Sequence, residues 1–198
     1  MNELFIQKAK NLKLLLTDID GVMTDSKLCW FTDPEGRRLE IKNFESLDGM
    51  GMMFLRACGI RTGIVSRGQA PVLTDWAKLL GMDILYQHSM NKPASLLDAC
   101  QRFNVSLEET AFIGDDITDL GVLKKVGLPL TVANGVEEVQ KIALYSSSKK
   151  GGEGAVRDIC EQILKARGQW QSLLEEVENG TFTDPHPELI IVKNHSKN

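Results

Sequence analysis

Two aspartates stand two residues apart in Asp18-Ile19-Asp20-Gly21-Val22, directly behind the apolar run Leu12-Lys13-Leu14-Leu15-Leu16-Thr17. The run reads as a buried strand, so both carboxylates arrive at its carboxyl end, the edge where open α/β sheets bind ligands. Gly21 lets the chain turn away at once. Carboxylates this close repel one another unless a cation or a shared proton intervenes. A second acidic cluster, Gly114-Asp115-Asp116-Ile117-Thr118-Asp119, follows another strand-like run, Thr110-Ala111-Phe112-Ile113. Two acidic strand ends together suggest one divalent-metal site.

Ser66 and Lys92 add a hydroxyl and an ammonium, each placed just past an expected strand. An acid pair, a hydroxyl, an ammonium and a second acid cluster are what phosphoryl transfer through a carboxylate needs. A carboxylate can attack phosphorus and form an aspartyl phosphate. Phosphate repels an approaching anion, so a hard cation must neutralise the site. Mg²⁺ suits a few carboxylates, because it prefers oxygen ligands and keeps several waters. Lys92 can hold a phosphoryl oxygen as a point charge, and Ser66 can donate a hydrogen bond to another. The second acid of the first pair would protonate the departing alkoxide and later activate water, help worth about 10²–10⁴-fold.

The elements that must position these groups alternate along the chain. Lys27 to Thr32 and Arg37 to Phe44 flank the turn signal Asp33-Pro34-Glu35-Gly36 and predict a β-hairpin. A helix over 48–58, a strand over 62–65, a helix over 72–80 closed by Gly81 and a strand over 84–86 follow. Pro93 suits the first turn of a helix over 94–103. Ser106-Leu107-Glu108-Glu109 is a capping-box pattern ahead of the strand that ends at Gly114. Beyond it the spacing predicts a helix over 116–125, a strand over 128–132, short elements over 136–142 and 143–145, and a last helix over 154–166. Strands alternating with helices mean a parallel sheet covered on both faces. The fold class is therefore a Rossmann-like α/β domain with a β-hairpin projecting after the first strand. Its expected bounds are 12–166, between an N-terminal arm over 1–11 and a tail over 167–198. In that tail, Leu189-Ile190-Ile191-Val192 is an isolated apolar patch that docks on the body, joins a neighbouring subunit or stays loose.

Composition bounds the function. The chain has 198 residues, room for one domain with a full core. Its 42% apolar and 25% charged residues are those of a soluble globular protein. A net charge of −4 with no basic run argues against nucleic-acid binding. No stretch approaches the roughly 18 apolar residues of a membrane span, and the first ten residues do not read as a signal peptide. The four cysteines, Cys29, Cys58, Cys100 and Cys160, form no CxxC pair and fit a reducing cytoplasm.

Asp-x-Asp-Gly-Val, a Ser after a strand, an isolated Lys and then Gly-Asp-Asp-x-x-Asp, in that order, resemble the haloacid dehalogenase superfamily of phosphatases. The resemblance covers about residues 12–166. It implies Asp18 as nucleophile, Asp20 as general acid and base, and Ser66 and Lys92 as phosphoryl ligands. It implies Mg²⁺ held by Asp115, the Asp18 carboxylate and the Asp20 backbone carbonyl, with Asp116 acting through a water. Asp119 either ligates the metal or, the favoured reading, hydrogen-bonds the loop backbone. Within the superfamily the chain is most similar to the capless phosphatases of 3-deoxy-D-manno-octulosonate 8-phosphate. The hairpin, Lys42-Asn43-Phe44 leading to Asp48-Gly49-Met50-Gly51, Tyr86-Gln87 with Asn91-Lys92, and Lys150 to Arg157 carry that similarity. A small sugar-phosphate substrate and a homotetramer built through the hairpins are the implied partners. Arg67 would join the phosphate-binding set, and Asp48 would line the substrate pocket or cap its helix. Departures are Arg67-Gly68 in reversed order, Leu47 where arginine is common, and Glu153 within the glycine-rich segment. Glu153 keeps a nine-carbon keto sugar acid 9-phosphate open as substrate. A noncatalytic oligomerisation module related to sugar-nucleotide synthetases and, ranked last, a nucleotide-binding response-regulator-like domain are the remaining alternatives.

Overall fold

The protein is described by a computed structural model covering residues 2–193. It opens with α1 (Glu3–Lys10) and β1 (Leu14–Thr17), followed by the hairpin strands β2 (Cys29–Thr32) and β3 (Arg38–Ile41). Next come α2 (Ser46–Ala57), β4 (Arg61–Val65), α3 (Pro71–Leu79), β5 (Ile84–Gln87) and α4 (Lys92–Phe103). After β6 (Thr110–Ile113) lie α5 (Leu120–Leu123), β7 (Leu128–Thr131), α6 (Glu137–Gln140) and β8 (Tyr145–Ser146). The chain closes with α7 (Ala155–Ala166), α8 (Trp170–Glu178) and β9 (Ile190–Lys193).

Every residue of β1 is buried, as a central strand of a parallel sheet must be. It pairs in parallel with β4, Leu14 opposite Arg61, and with β6, Leu14 opposite Thr110. Seven parallel strands follow the order β8-β7-β6-β1-β4-β5-β9. Alternate side chains of β1 feed opposite faces. Leu15 joins Phe5, Met52, Leu55, Ile159 and Ile163 on one side, while Leu14 and Leu16 join Tyr86, Leu96, Phe112 and Val122 on the other. Sheet register therefore fixes which helices cover which face.

Local chemistry starts and stops the helices around the site. Asn91 caps α4 by accepting the Ala94 N–H at 3.1 Å, and Asn104 closes it in the left-handed region. The Ser106–Glu109 capping box forms, with the Glu109 carboxylate accepting the Ser106 N–H at 3.0 Å. The helix expected over 116–125 is shorter: a single 3-10 turn over Ile117–Asp119 precedes α5. Asp119 explains the difference, because its carboxylate binds the Asp115 and Asp116 N–H groups and tightens the turn.

The hairpin projects as expected, with Trp30 opposite Glu40 and Phe31 opposite Leu39. All four residues of β2 are exposed. At the other end, the tail docks on the body. Arg56 binds Asp184 at 2.8 Å and the Pro185 carbonyl at 3.3 Å. From there β9 runs parallel to β5, with Ile84 opposite Ile190 and Gln87 opposite Lys193. The apolar patch at 189–192 thus becomes a sheet edge. The last five residues of the tail lie outside the described residues.

Candidate active site

β1, β4 and β6 are neighbours, so their carboxyl ends bring Asp18, Ser66 and Asp115 to one rim. Asp18 is locked on both oxygens: Oδ1 accepts the Ile19 N–H at 2.8 Å, and Oδ2 pairs with Lys92 Nζ at 2.7 Å. The chain then folds back, with the Val22, Met23 and Thr24 N–H groups all donating to the Ile19 carbonyl. Gly21 has φ +94°, and a Cβ there would sit 2.0 Å from Asp115 Oδ2. Only glycine lets the Asp115 carboxylate lie against this turn.

Lys92, the first residue of α4, is 2% exposed and lies 2.7 Å from Asp119 Oδ1 as well as from Asp18. Burial works against its charge, but the two carboxylates outweigh that and leave its pKa above the usual lysine value. Asp119 spends Oδ1 on Lys92 and Oδ2 on the Asp115 and Asp116 N–H groups. That geometry agrees with a structural role for Asp119.

Asp18, Asp115 and Asp119 each offer an oxygen within 4.8 Å of the others. Asp115 Oδ1 is buried and accepts no hydrogen bond among the described residues. Burial raises the Asp115 carboxyl to about 7, helped by the charges of Asp18 and Asp119. Burial likewise raises Asp18 to about 6 against the pull of Lys92. Protein groups alone leave this cluster short of positive charge. Hard oxygen donors with one orphaned oxygen are what Mg²⁺ takes, so the residues present fit the ion.

A cleft of about 300 Å³ opens on the cluster, lined by Asp18, Asp20, Ser26, Arg67, Asp115, Asp116 and Thr118. Ser66 lies beneath it, fully buried; its Oγ accepts the Gly68 N–H at 3.0 Å, which leaves the hydroxyl proton to donate. Six of the seven expected site residues thus gather here: Asp18, Asp20, Ser66, Arg67, Lys92 and Asp115.

Asp48 does not line the cleft. Nor does it cap α2, because Glu45 does so by accepting the Leu47 N–H at 3.1 Å. Its carboxylate is instead buried against α7, with Oδ1 accepting the Arg157 N–H at 2.8 Å. The close packing of α2 on α7 turns this first-turn acid inward, away from the rim.

Two residues take part in the site through contacts that the sequence does not show, although Lys42 lies in a segment that carries the family similarity. Asn134 clasps the site from behind, donating to the Gly21 carbonyl at 2.9 Å and accepting the Gly151 N–H at 2.7 Å. The glycine-rich loop therefore packs directly on the Asp18–Gly21 turn; a Cβ on Gly151 would meet the Gly21 carbonyl at 2.0 Å. Lys42 is the other. Its ammonium binds Asp20 Oδ1 and, at 2.8 Å, Glu40 Oε1. Burial opposes its charge, yet these carboxylates leave its pKa raised.

The same architecture occurs in proteins of known kind. Residues 79–159 match the family described as haloacid dehalogenase-like hydrolase. The 3-deoxy-D-manno-octulosonate 8-phosphate phosphatase of Escherichia coli is 34% identical over 164 residues, 83% of this chain and 85% of that protein. The Yersinia pestis protein of the same description is 36% identical over 162 residues, 82% of this chain and 84% of its own length. A crystal structure of the Moraxella catarrhalis phosphatase, in complex with a magnesium ion, a phosphate ion and a KDO molecule, has a TM-score of 0.83 at 33% identity. That likeness covers 89% of this chain and 99% of the other. The chain belongs to the haloacid dehalogenase-like hydrolases, among the relatives of the 3-deoxy-D-manno-octulosonate 8-phosphate phosphatases.

Proposed function

We propose that this chain is a Mg²⁺-dependent phosphatase that hydrolyses 3-deoxy-D-manno-octulosonate 8-phosphate through an aspartyl phosphate on Asp18. One observation carries the reading: Asp18 and Asp115 converge with Lys92 beneath a polar cleft, and Asp115 keeps an oxygen without a partner among the described residues. Asp18, Asp115 and the Asp20 backbone carbonyl would hold Mg²⁺, which neutralises the phosphate charge that otherwise repels a carboxylate. An Asp18 oxygen attacks phosphorus and the ester P–O bond breaks. Asp20 passes its proton to the departing alkoxide. Asp20 then takes a proton from the water that attacks the aspartyl phosphate, which releases phosphate and restores Asp18. Lys92 and the Ser66 hydroxyl bind non-bridging phosphoryl oxygens, and Arg67 adds charge at the mouth of the cleft.

Glu153, in the glycine loop packed on the Asp18–Gly21 turn, favours a second reading in which the substrate is a nine-carbon keto sugar acid 9-phosphate. A comparison of kcat/KM on the two phosphates with Mg²⁺ present separates the readings. A larger value for the nine-carbon ester would reassign the substrate. EDTA should abolish turnover and Mg²⁺ should restore it; turnover that persists in EDTA would remove the metal.

The exposed Trp30, Phe31, Leu39 and Ile41 of the hairpin support assembly of four copies through these strands, since apolar groups clustered on a projecting element mark an interaction surface. Trp30→Asp should lower the solution mass measured by light scattering. The unpaired thiols of all four cysteines support residence in the reducing cytoplasm. A keto-deoxy sugar acid freed there would serve lipopolysaccharide biosynthesis.

A further inference from the structure

Lys42 is an oddity of the hairpin. Strands β2 and β3 are exposed along nearly their whole length, yet the residue that follows β3 has a side chain only 5% exposed. Burying an ammonium is costly unless it is paired. Both of its partners are carboxylates, Asp20 Oδ1 from the strand-end motif and Glu40 Oε1 from β3. Glu40 sits opposite Trp30 in the hairpin register. The brace therefore belongs to the hairpin, and the group it steadies belongs to the cleft.

Asp18 and Asp20 differ in what orients them. Asp18 has a backbone N–H on one oxygen and Lys92 on the other. Among the described residues Asp20 is bound by Lys42 through a single oxygen, and its side chain is 38% exposed. Its Oδ2 faces the Ser66–Gly68 turn, 3.9 Å from where a Gly68 Cβ would lie. A half-exposed aspartate held at one point keeps its direction only while that contact lasts. Proton delivery to a leaving oxygen requires the carboxyl within hydrogen-bond reach of it.

We propose that Lys42, braced by Glu40, is the positioning residue that holds one Asp20 oxygen so that the other meets the leaving-group oxygen of the substrate. The inference rests on the phosphatase reading above and deepens it. It joins the hairpin to the chemistry through one ammonium.

Leaving-group dependence tests it, because a nitrophenolate departs without a proton whereas a sugar alkoxide needs one. In the full-length protein with Mg²⁺, Lys42→Met should lower kcat/KM for a sugar phosphate about 100-fold, within the span of general acid catalysis. For nitrophenyl phosphate the loss should stay under about 3-fold, because that step needs little acid help. Lys42→Arg, which keeps the charge, should restore the sugar phosphate rate to within about 10-fold of wild type. Glu40→Gln leaves Lys42 in place and should show the same selectivity at smaller amplitude, which keeps the test open if Lys42→Met does not fold. Equal losses on both substrates, or none on either, would overturn the inference while leaving the phosphatase reading intact. A wild-type protein that turns over neither phosphate would overturn both.

Discussion

Asp18 and Asp48 are both buried carboxylates that burial raises to about 6, yet one sits at the rim of a cleft and the other between two helices. Around Asp18, Lys92 lies at 2.7 Å, Asp115 and Asp119 each offer an oxygen within 4.8 Å, and a cleft opens on the group. Around Asp48 the Arg157 N–H donates at 2.8 Å, and Oδ2 has no hydrogen-bond partner among the described residues. Burial alone makes a carboxylate awkward. Chemistry needs an opening, a counter-charge and a donor set for a cation arranged around it. A perturbed carboxyl by itself therefore does not mark a functional site.

Substitution should pull the two regions apart. Asp18→Asn should cost about four orders of magnitude or more in kcat/KM, on the scale of losing a group that acts as a catalytic unit, while circular dichroism and the unfolding midpoint hold. Substantial turnover in that variant would make the rim resemble Asp48 and remove the nucleophile. Lys92→Met should affect folding as well as turnover. It leaves Asp18 and Asp119 buried without their shared cation, a change worth about 3–5 kcal/mol. Urea denaturation without Mg²⁺ would read that loss, and added Mg²⁺ should recover part of it.

Asp48→Asn should have the smallest effect, confined to stability. Between the reference value of 3.8 and about 6, the native state binds this proton more tightly than the unfolded state does. Stability contributed here is therefore highest in acid and falls as pH rises through that window, by at most about 3 kcal/mol. Asparagine still accepts the Arg157 N–H but carries no charge. The variant should lose the downward slope between pH 4 and pH 6 in its unfolding free energy. A slope identical to wild type would mean that Asp48 titrates normally in the folded protein.

What could be seen beforehand followed from locality. Asp18, Asp20, Asp115 and Asp119 are fixed by short strand-to-turn units whose signals are all local, and so is the Lys92 start of α4. The alternation of apolar runs with capped helices made the parallel sheet legible in the same way. The contacts of Lys42 and Asn134 were not legible because their partners lie 22 and 113 residues away, set by tertiary packing. Asp48 was expected to cap its helix or line the substrate pocket, because nothing local shows that α7 packs over this first-turn acid. The edge strand β9 showed itself only as an apolar patch, since a parallel pairing leaves no turn signal between its partners.

That edge strand bears on how the molecule is made. Synthesis runs from the amino end, so β5 emerges from the ribosome roughly a hundred residues before its companion at Ile190. Throughout that interval a row of backbone groups along β5 stays open to any passing strand. A stop codon ahead of Ile190 would make this vulnerability permanent. Loss of solubility in such a shortened chain would precede any failure of its chemistry.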